Sequence, residues 1–289
     1  MRLGTRGSAL ALAQARAVAA MLGGEPEIVE VRTGGDAGVG ASSAEDKSRW
    51  VDGLEAALLA GEIDLAVHSA KDVPAQLAAG LEIAGVPERE DARDALAGAS
   101  SLSALPAGAR VGTSSVRRQA ELLALRPDLD VVALRGNVDT RLRKLAAGEA
   151  DAAVLAVAGL RRLGRADAIG AVLDLVPAAG QGALLLEGRA GDATVHQAAG
   201  EVTDPRALAS VTAERACVAA LGATCHTPVG AHARPLAGGR LALTAFAGRA
   251  DGSAWVRDER EGAAADPAAL GADVADRLLR AGAAEVLAG

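Results

Sequence analysis

Aromatic residues are almost missing from this chain: one Phe, two Trp and no Tyr in 289 residues. Its core must therefore be built from Ala, Leu and Val, and nucleic-acid binding by base stacking is disfavoured. Cysteine is as scarce. Cys217 and Cys225 make no disulfide framework, so a reducing cytoplasm is expected. No apolar run approaches the ~20 residues that a membrane span needs. The Ala/Leu-rich segment Ala9–Leu22 follows Arg2 and Arg6, but Gln14 and Arg16 interrupt it, so it reads as an amphipathic helix and not a secretory signal. A Gly-x4-Gly-Lys-Ser/Thr phosphate loop is absent and Gly34–Gly40 lacks dinucleotide spacing, which leaves nucleotide chemistry little support. Lysine is rare as well: Lys47, Lys71 and Lys144 are the only three among 30 Lys and Arg.

What is present is a globular composition, 50% hydrophobic and 23% charged, long enough for two or three domains. The net charge of −7 argues against a polyanion spread over the whole surface but allows a locally basic cleft. After a first strand at Arg2–Thr5, apolar runs at Ile28–Arg32, Ile63–Val67, Leu81–Val86, Arg110–Gly112, Val131–Leu134 and Ala152–Val157 alternate with helical patterns. The helices are Ala9–Leu22, Trp50–Ala60, Val116–Leu125 and Val138–Ala147; Ser114 or Ser115 can cap the third and Asn137 the fourth. Such alternation predicts βαβ units with mainly parallel sheets. The polar run Glu88–Asp94 and the stretch Pro177–Gly182 read as two crossings between domains, with a strand Ala183–Leu186 after the second. Beyond residue 200 the pattern changes. Asp204-Pro205 starts a helix that Gly222 ends, then strands at Val229–Pro235, Arg240–Ala247 and Ala254–Glu259 form a meander, and Asp266-Pro267 starts a final helix to about Leu287.

Chemistry is expected where strands end, because α/β proteins bind ligands beyond the carboxyl ends of strands. His68-Ser69-Ala70-Lys71-Asp72-Val73-Pro74 follows the run Ile63–Val67 and competes with a plain solvated loop. Where Arg serves nearly every cationic position, the retained Lys71 suggests a need for a compact ammonium. Arg6, Arg117, Arg118, Arg135, Arg141 and Arg162 recur beside small residues, hydroxyls and helix starts, a pattern suited to several carboxylates or phosphates. Chance placement with surface pairing is the competing account. Cys217 falls within a helix and reads as a small buried hydrophobe. Cys225 lies in the loop Gly222–Pro228. A zinc site with Cys217, His226 and His232 matches no common spacing, and a Cys225–His226 nucleophile pair joins neighbours that rarely point at each other.

Taken together, the motifs resemble one family, porphobilinogen deaminase (hydroxymethylbilane synthase). They are Thr5–Leu12, Ala66–Pro74, Gly112–Gln119, Leu134–Leu142, Leu155–Leu160, Gly180–Gly182 and Val211–Ala216, in the family's order and over nearly the whole chain. The resemblance implies an enzyme of tetrapyrrole (heme) biosynthesis that condenses four porphobilinogen molecules head to tail, with loss of ammonia. The chain grows on a dipyrromethane cofactor bound through a thioether, here to Cys225. Each ring carries an acetate and a propionate, which explains an arginine-lined cleft in an acidic protein. By matching position, Asp72 is the catalytic carboxylate. Arg6, Ser8, Lys71, Thr113, Ser114, Ser115, Arg117, Arg118, Arg135, Gly136, Arg141, Arg162 and Gln181 bind carboxylates of cofactor and substrate. Lys47 and Trp50 belong to the active-site loop, and no metal is implied. Two departures stand out. The family's Gly-Lys-Gly-Leu-Phe is Asp46-Lys47-Ser48-Arg49-Trp50 here, and its Gly-Gly-Cys is Ala223-Thr224-Cys225. Thr is poor at positive φ, so a differently shaped cysteine loop is expected.

The resulting expectation is a three-domain α/β enzyme. Two similar doubly wound, mainly parallel-sheet domains of type II periplasmic-binding-protein kind flank a cleft: residues 1–87 with 183–200, and 93–176. A small α+β domain with a three-stranded antiparallel sheet, 204–289, supplies Cys225. A cytoplasmic monomer without nucleic-acid or membrane partners is expected. The rival is a two-lobed anion- or tetrapyrrole-binding protein without turnover, which needs neither a tethering cysteine nor a carboxylate among cations.

Overall fold

The computed structural model describes residues 1–33, 48–224 and 226–288. Lys47 and Cys225 lie outside them, as does the side chain of Trp50. In chain order the first elements are β1 (Arg2–Thr5), α1 (Ala9–Leu22), β2 (Glu27–Glu30), α2 (Ser48–Leu59), β3 (Leu65–Ser69), β4 (Leu81–Gly85), β5 (Asp94–Ala97), β6 (Arg110–Gly112) and α3 (Val116–Leu125). Then follow β7 (Asp130–Val132), α4 (Val138–Ala146), β8 (Ala152–Ala156), α5 (Val157–Arg162), β9 (Ala171–Leu173), β10 (Leu184–Arg189) and α6 (Ala193–Glu201). The last are α7 (Pro205–Ala220), β11 (Val229–Leu236), β12 (Arg240–Gly248), β13 (Trp255–Ala263), α8 (Pro267–Arg280) and α9 (Ala283–Ala288).

Two five-stranded sheets share one topology, β2-β1-β3-β10-β4 and β7-β6-β8-β5-β9. In each, four strands run one way and the fourth in the order, β10 or β5, runs against both neighbours. The doubly wound, mainly parallel α/β reading therefore holds, with one reversed strand per sheet. Each reversed strand is the first after a crossing, so it enters its sheet from the opposite end. The sequence reading missed β5, β9, α5 and α6. Asp94, the last residue of the polar run, is the buried first residue of β5.

Both faces of each large sheet are covered. In the first, Leu3, Leu65, Val67 and Leu186 meet Ala15 and Val18 of α1 on one side, while Ala66 and Ile63 meet Leu54 and Leu58 of α2 on the other. Gly4 permits this: a Cβ there would stand 2.2 Å from Ile63 Cδ1. In the second, Val111 and Val154 pack with Leu122 of α3, and Ala95 and Leu155 with Leu142 of α4 and Leu160 of α5. Ser115 and Asn137 cap α3 and α4, accepting from the Arg118 and Thr140 N–H groups.

The meander β11-β12-β13 is antiparallel throughout, and its third strand runs on to Ala263. α7 and α8 cover one face, with Cys217 fully buried among Leu243, Val274 and Leu278. Burial pushes the Cys217 thiol up to about 12, with the Glu214 charge adding to it, so it is an inert small hydrophobe. The single final helix expected from sequence is two, broken at Gly282 (φ 97). On the other face Phe246, stacked on Trp255 at 6.2 Å, reaches Ala120 of α3 and Val176. Gly252 (φ 71) lies against the backbone of Leu123 and Ala124, where a Cβ would come within 2.5 Å. The C-terminal unit is thereby seated on the second sheet's helix α3.

Candidate active site at the tip of β3

β3 ends at Ser69 and turns at once through a single 3-10 turn, Ala70–Asp72. Ala70 N–H donates to Ala183 O at 3.0 Å, tying the turn to the second crossing. Beyond it, Arg215 of α7 donates to the carbonyls of Val73, Pro74 and Ala75 at 3.1, 2.6 and 3.0 Å. The turn is thus held from both sides, as a precisely placed side chain requires.

Three cavities surround it. One of about 70 Å³ is lined by Arg6, Ser8, Gln14, His68, Ser69 and Asp72. A second of about 90 Å³ adds Lys71, Arg118, Arg141 and Arg162 to the shared Gln14 and Ser69. The third, about 680 Å³, shares Lys71 and extends past Arg215 to Ala223 and Thr224, the residues just before Cys225. The first two share Gln14 and Ser69, and the third meets the second at Lys71, so Asp72 lines one of three neighbouring cavities and Ala223 and Thr224 another. Ser8 also caps α1, accepting from Ala11 N–H at 3.2 Å.

Gln181 joins the two large sheets at this cleft. Its amide N–H groups donate to Ala92 O (2.7 Å) and Asp94 Oδ1 (2.8 Å), while its Oε1 accepts from Lys71 Nζ (3.3 Å) and Arg118 Nη2 (3.4 Å). Burial and the Arg118 charge push the Lys71 ammonium down to about 8. Burial and Arg118 also lower Arg141, to about 10. Arg162, lowered by burial, donates to Gly182 O at 2.7 Å.

Asp94 anchors the arginine pair. Arg117 and Arg118 both reach it at 2.7 Å. Burial alone would raise the Asp94 carboxyl, but the two guanidiniums outweigh it and hold it far below the usual carboxylate range. Arg118 still lines the second cavity. Arg117 faces inward: it is 4% exposed and donates to Glu121, Val176 O and Asp94. Burial pushes Glu121 up to about 7 against the pull of Arg117, and its Oε2 accepts from Val176 N–H at 2.5 Å.

The remaining residues singled out in the sequence are dispersed. Thr113 is buried and its hydroxyl accepts from Ser115 N–H. Ser114, Arg135 and Gly136 line none of these three cavities. Gly136 (φ 120) turns the chain so that its carbonyl accepts from Arg141 Nε at 2.7 Å. Around position 225 the Thr224 and Thr227 hydroxyls close the turn, with Thr227 Oγ1 accepting from Thr224 N–H at 2.9 Å. Thr224 is not at positive φ, so the loop accommodates it without that strain.

Sequence reasoning missed Glu214. This fully buried carboxylate of α7 accepts from Arg89 (2.6 and 3.1 Å), from the N–H groups of Gly180 and Ala233 (both 2.7 Å), and lies 3.3 Å from His232 Nδ1. Burial raises its carboxyl, but Arg89 and His232 outweigh that and hold it low. It binds both crossings to the C-terminal unit. Its signal in the sequence is the segment Thr212-Ala213-Glu214-Arg215, part of the resemblance to the family.

Fold and site define a two-lobed α/β protein with neighbouring cavities lined by cations and by one carboxylate, Asp72. The comparisons carry this further. The family model for porphobilinogen deaminase, dipyromethane cofactor binding domain, matches residues 1–197, and that for the C-terminal domain matches 208–280. Porphobilinogen deaminase of Roseiflexus castenholzii is 46% identical over 100% of this chain and 99% of its own. Those of Deinococcus radiodurans and Thermus thermophilus are each 47% identical over 99% of this chain and 97% of theirs. This chain belongs to the porphobilinogen deaminase family. Among solved structures, the second substrate binding domain of a putative amino acid ABC transporter from Streptococcus pneumoniae is 15% identical, with a TM-score of 0.43, over 70% of this chain and 90% of that one. Among the described residues, no helix is long and apolar enough to cross a membrane.

Proposed function

We propose that this chain condenses four porphobilinogen molecules into hydroxymethylbilane, acting as a cytoplasmic monomer. The observation that carries the reading is one carboxylate, Asp72, on a turn held at both ends and surrounded by cationic cavities. We take 1–87 with 183–200, 93–176 and 204–289 as its three domains.

The donor set fits a dipyrromethane cofactor: Arg118, Arg141, Arg162 and Lys71 offer charged N–H groups to ring carboxylates, and the 680 Å³ cavity reaches Ala223 and Thr224, which precede Cys225 in the sequence. When bound, that cofactor supplies the terminal ring on which the product is extended. Arg6, Ser8 and Lys71 orient the incoming substrate's carboxylates beside Asp72. The Asp72 carboxylate accepts from pyrrole N–H groups and stabilises the cation left as ammonia departs. Arg117 acts through Arg118 and Asp94, as a positioning residue.

Two results test this. The denatured intact mass of the protein is expected to show an adduct of two pyrrole units that Cys225→Ser lacks; an unmodified wild type, even after incubation with porphobilinogen, overturns the tether. The KM for porphobilinogen is expected to rise above about pH 8, where Lys71 loses its charge. Lys71→Arg removes that rise, because a guanidinium does not titrate there.

A further inference from the structure

Among the described residues, four buried side-chain atoms lack a hydrogen-bond partner, and three of them belong to one pair: Nε2 of His68 and both carboxylate oxygens of Glu187. The residues sit diagonally on β3 and β10, with Nε2 2.9 Å from Glu187 Oε2 but out of line for a hydrogen bond. Their side chains are 3% and 0% exposed. Buried polar atoms are normally satisfied, and catalytic hydrogen bonds are often misaligned until substrate binds.

The surroundings are asymmetric. Glu55 of α2 is half-buried and feels both members of the pair, its carboxyl raised by burial and by the Glu187 charge. Arg215 of α7 also feels Glu187. On the open side His68 lines the same small cavity as Arg6, Ser8 and Asp72. With Nε2 at 2.9 Å from Glu187 Oε2, Nδ1 is the ring nitrogen that Glu187 does not engage.

The reaction needs an acceptor there. The aminomethyl C–N bond breaks and ammonia leaves with the electron pair. A pair from the acceptor ring's free α-carbon forms the new C–C bond. The α C–H bond of that ring then breaks, its electrons restore the ring, and the proton must pass to a base before the departed ammonia takes it as ammonium. Ser8, Ser69 and Gln14 are not bases near neutral pH, and Asp72 is engaged with ring N–H groups. We propose that His68 accepts this proton at Nδ1, and that Glu187 is the positioning residue that holds the Nε2–H tautomer and stabilises the imidazolium. The inference rests on the condensation reading above.

The test has two arms. In ¹⁵N-histidine-labelled Cys225→Ser protein, which needs no adduct, the His68 ring is expected to carry its proton on Nε2 near pH 8, and Glu187→Gln to move it to Nδ1. In adduct-bearing enzyme, Glu187→Gln and His68→Gln are expected to lower kcat about 10²-fold. Porphobilinogen deuterated at its free α-carbon then shows an isotope effect larger than wild type. An unchanged tautomer in Glu187→Gln overturns the dyad. A lower kcat with the wild-type isotope effect, or an undiminished kcat, overturns the proton role. If His68→Gln does not fold, the isosteric Glu187→Gln decides. Failure of the reading itself appears separately, as wild type that consumes no porphobilinogen.

Discussion

Asp72→Asn is expected to lower kcat by about 10²–10³-fold with little change in thermal stability. The side chain is half-buried in a small cavity and, among the described residues, makes no hydrogen bond that closes the fold; the turn is held by Ala70 N–H and Arg215. The amide keeps shape and volume and loses the charge, so the variant isolates electrostatic stabilisation of the substrate cation from packing. Turnover should be measured on the fraction whose intact mass shows the two-ring adduct, beside a melting curve. Near-normal turnover in that fraction would remove Asp72 from its role.

Glu214→Ala should destabilise the protein by about 3–5 kcal/mol, the range for removing one partner of a buried ion pair. Arg89, whose side chain is 11% exposed, would lose its counter-ion, and the Gly180 and Ala233 N–H groups their acceptor. The loss should be read from denaturant unfolding, followed separately by Trp fluorescence and by far-UV circular dichroism. Because Glu214 joins the two crossings to the C-terminal unit, these probes should separate in the variant. A loss below about 1 kcal/mol would show that the node is dispensable.

Much of this was legible in the sequence for reasons of periodicity and chain chemistry. Ser115 and Asn137 announced their helices as capping residues, Gly222 ended α7 at φ 61, and the meander's turns stood out as Gly238-Gly239 and Asp251-Gly252. β5 was hidden because it is four residues long and starts with Asp94, the last acid of a charged run; only the fold shows that Arg117 and Arg118 neutralise it. The arginine pattern told where guanidiniums cluster but not which way they point. Arg117 and Arg118 are adjacent on one helix, yet one faces inward and the other lines the cleft. Glu214 and the His68–Glu187 pair were invisible for a related reason, since their partners lie on elements distant in sequence.

The placement of β10 has a consequence for biogenesis. It lies between β3 and β4, so the first sheet cannot close until residue 189 has left the ribosome, although its other four strands are made by residue 85. The second sheet is contiguous, from Asp94 to Leu173, and can be completed earlier. Synthesis therefore favours an order in which the middle of the chain folds first and the amino-terminal lobe waits with an open strand edge. That edge is the stretch of nascent chain where a chaperone would be most useful.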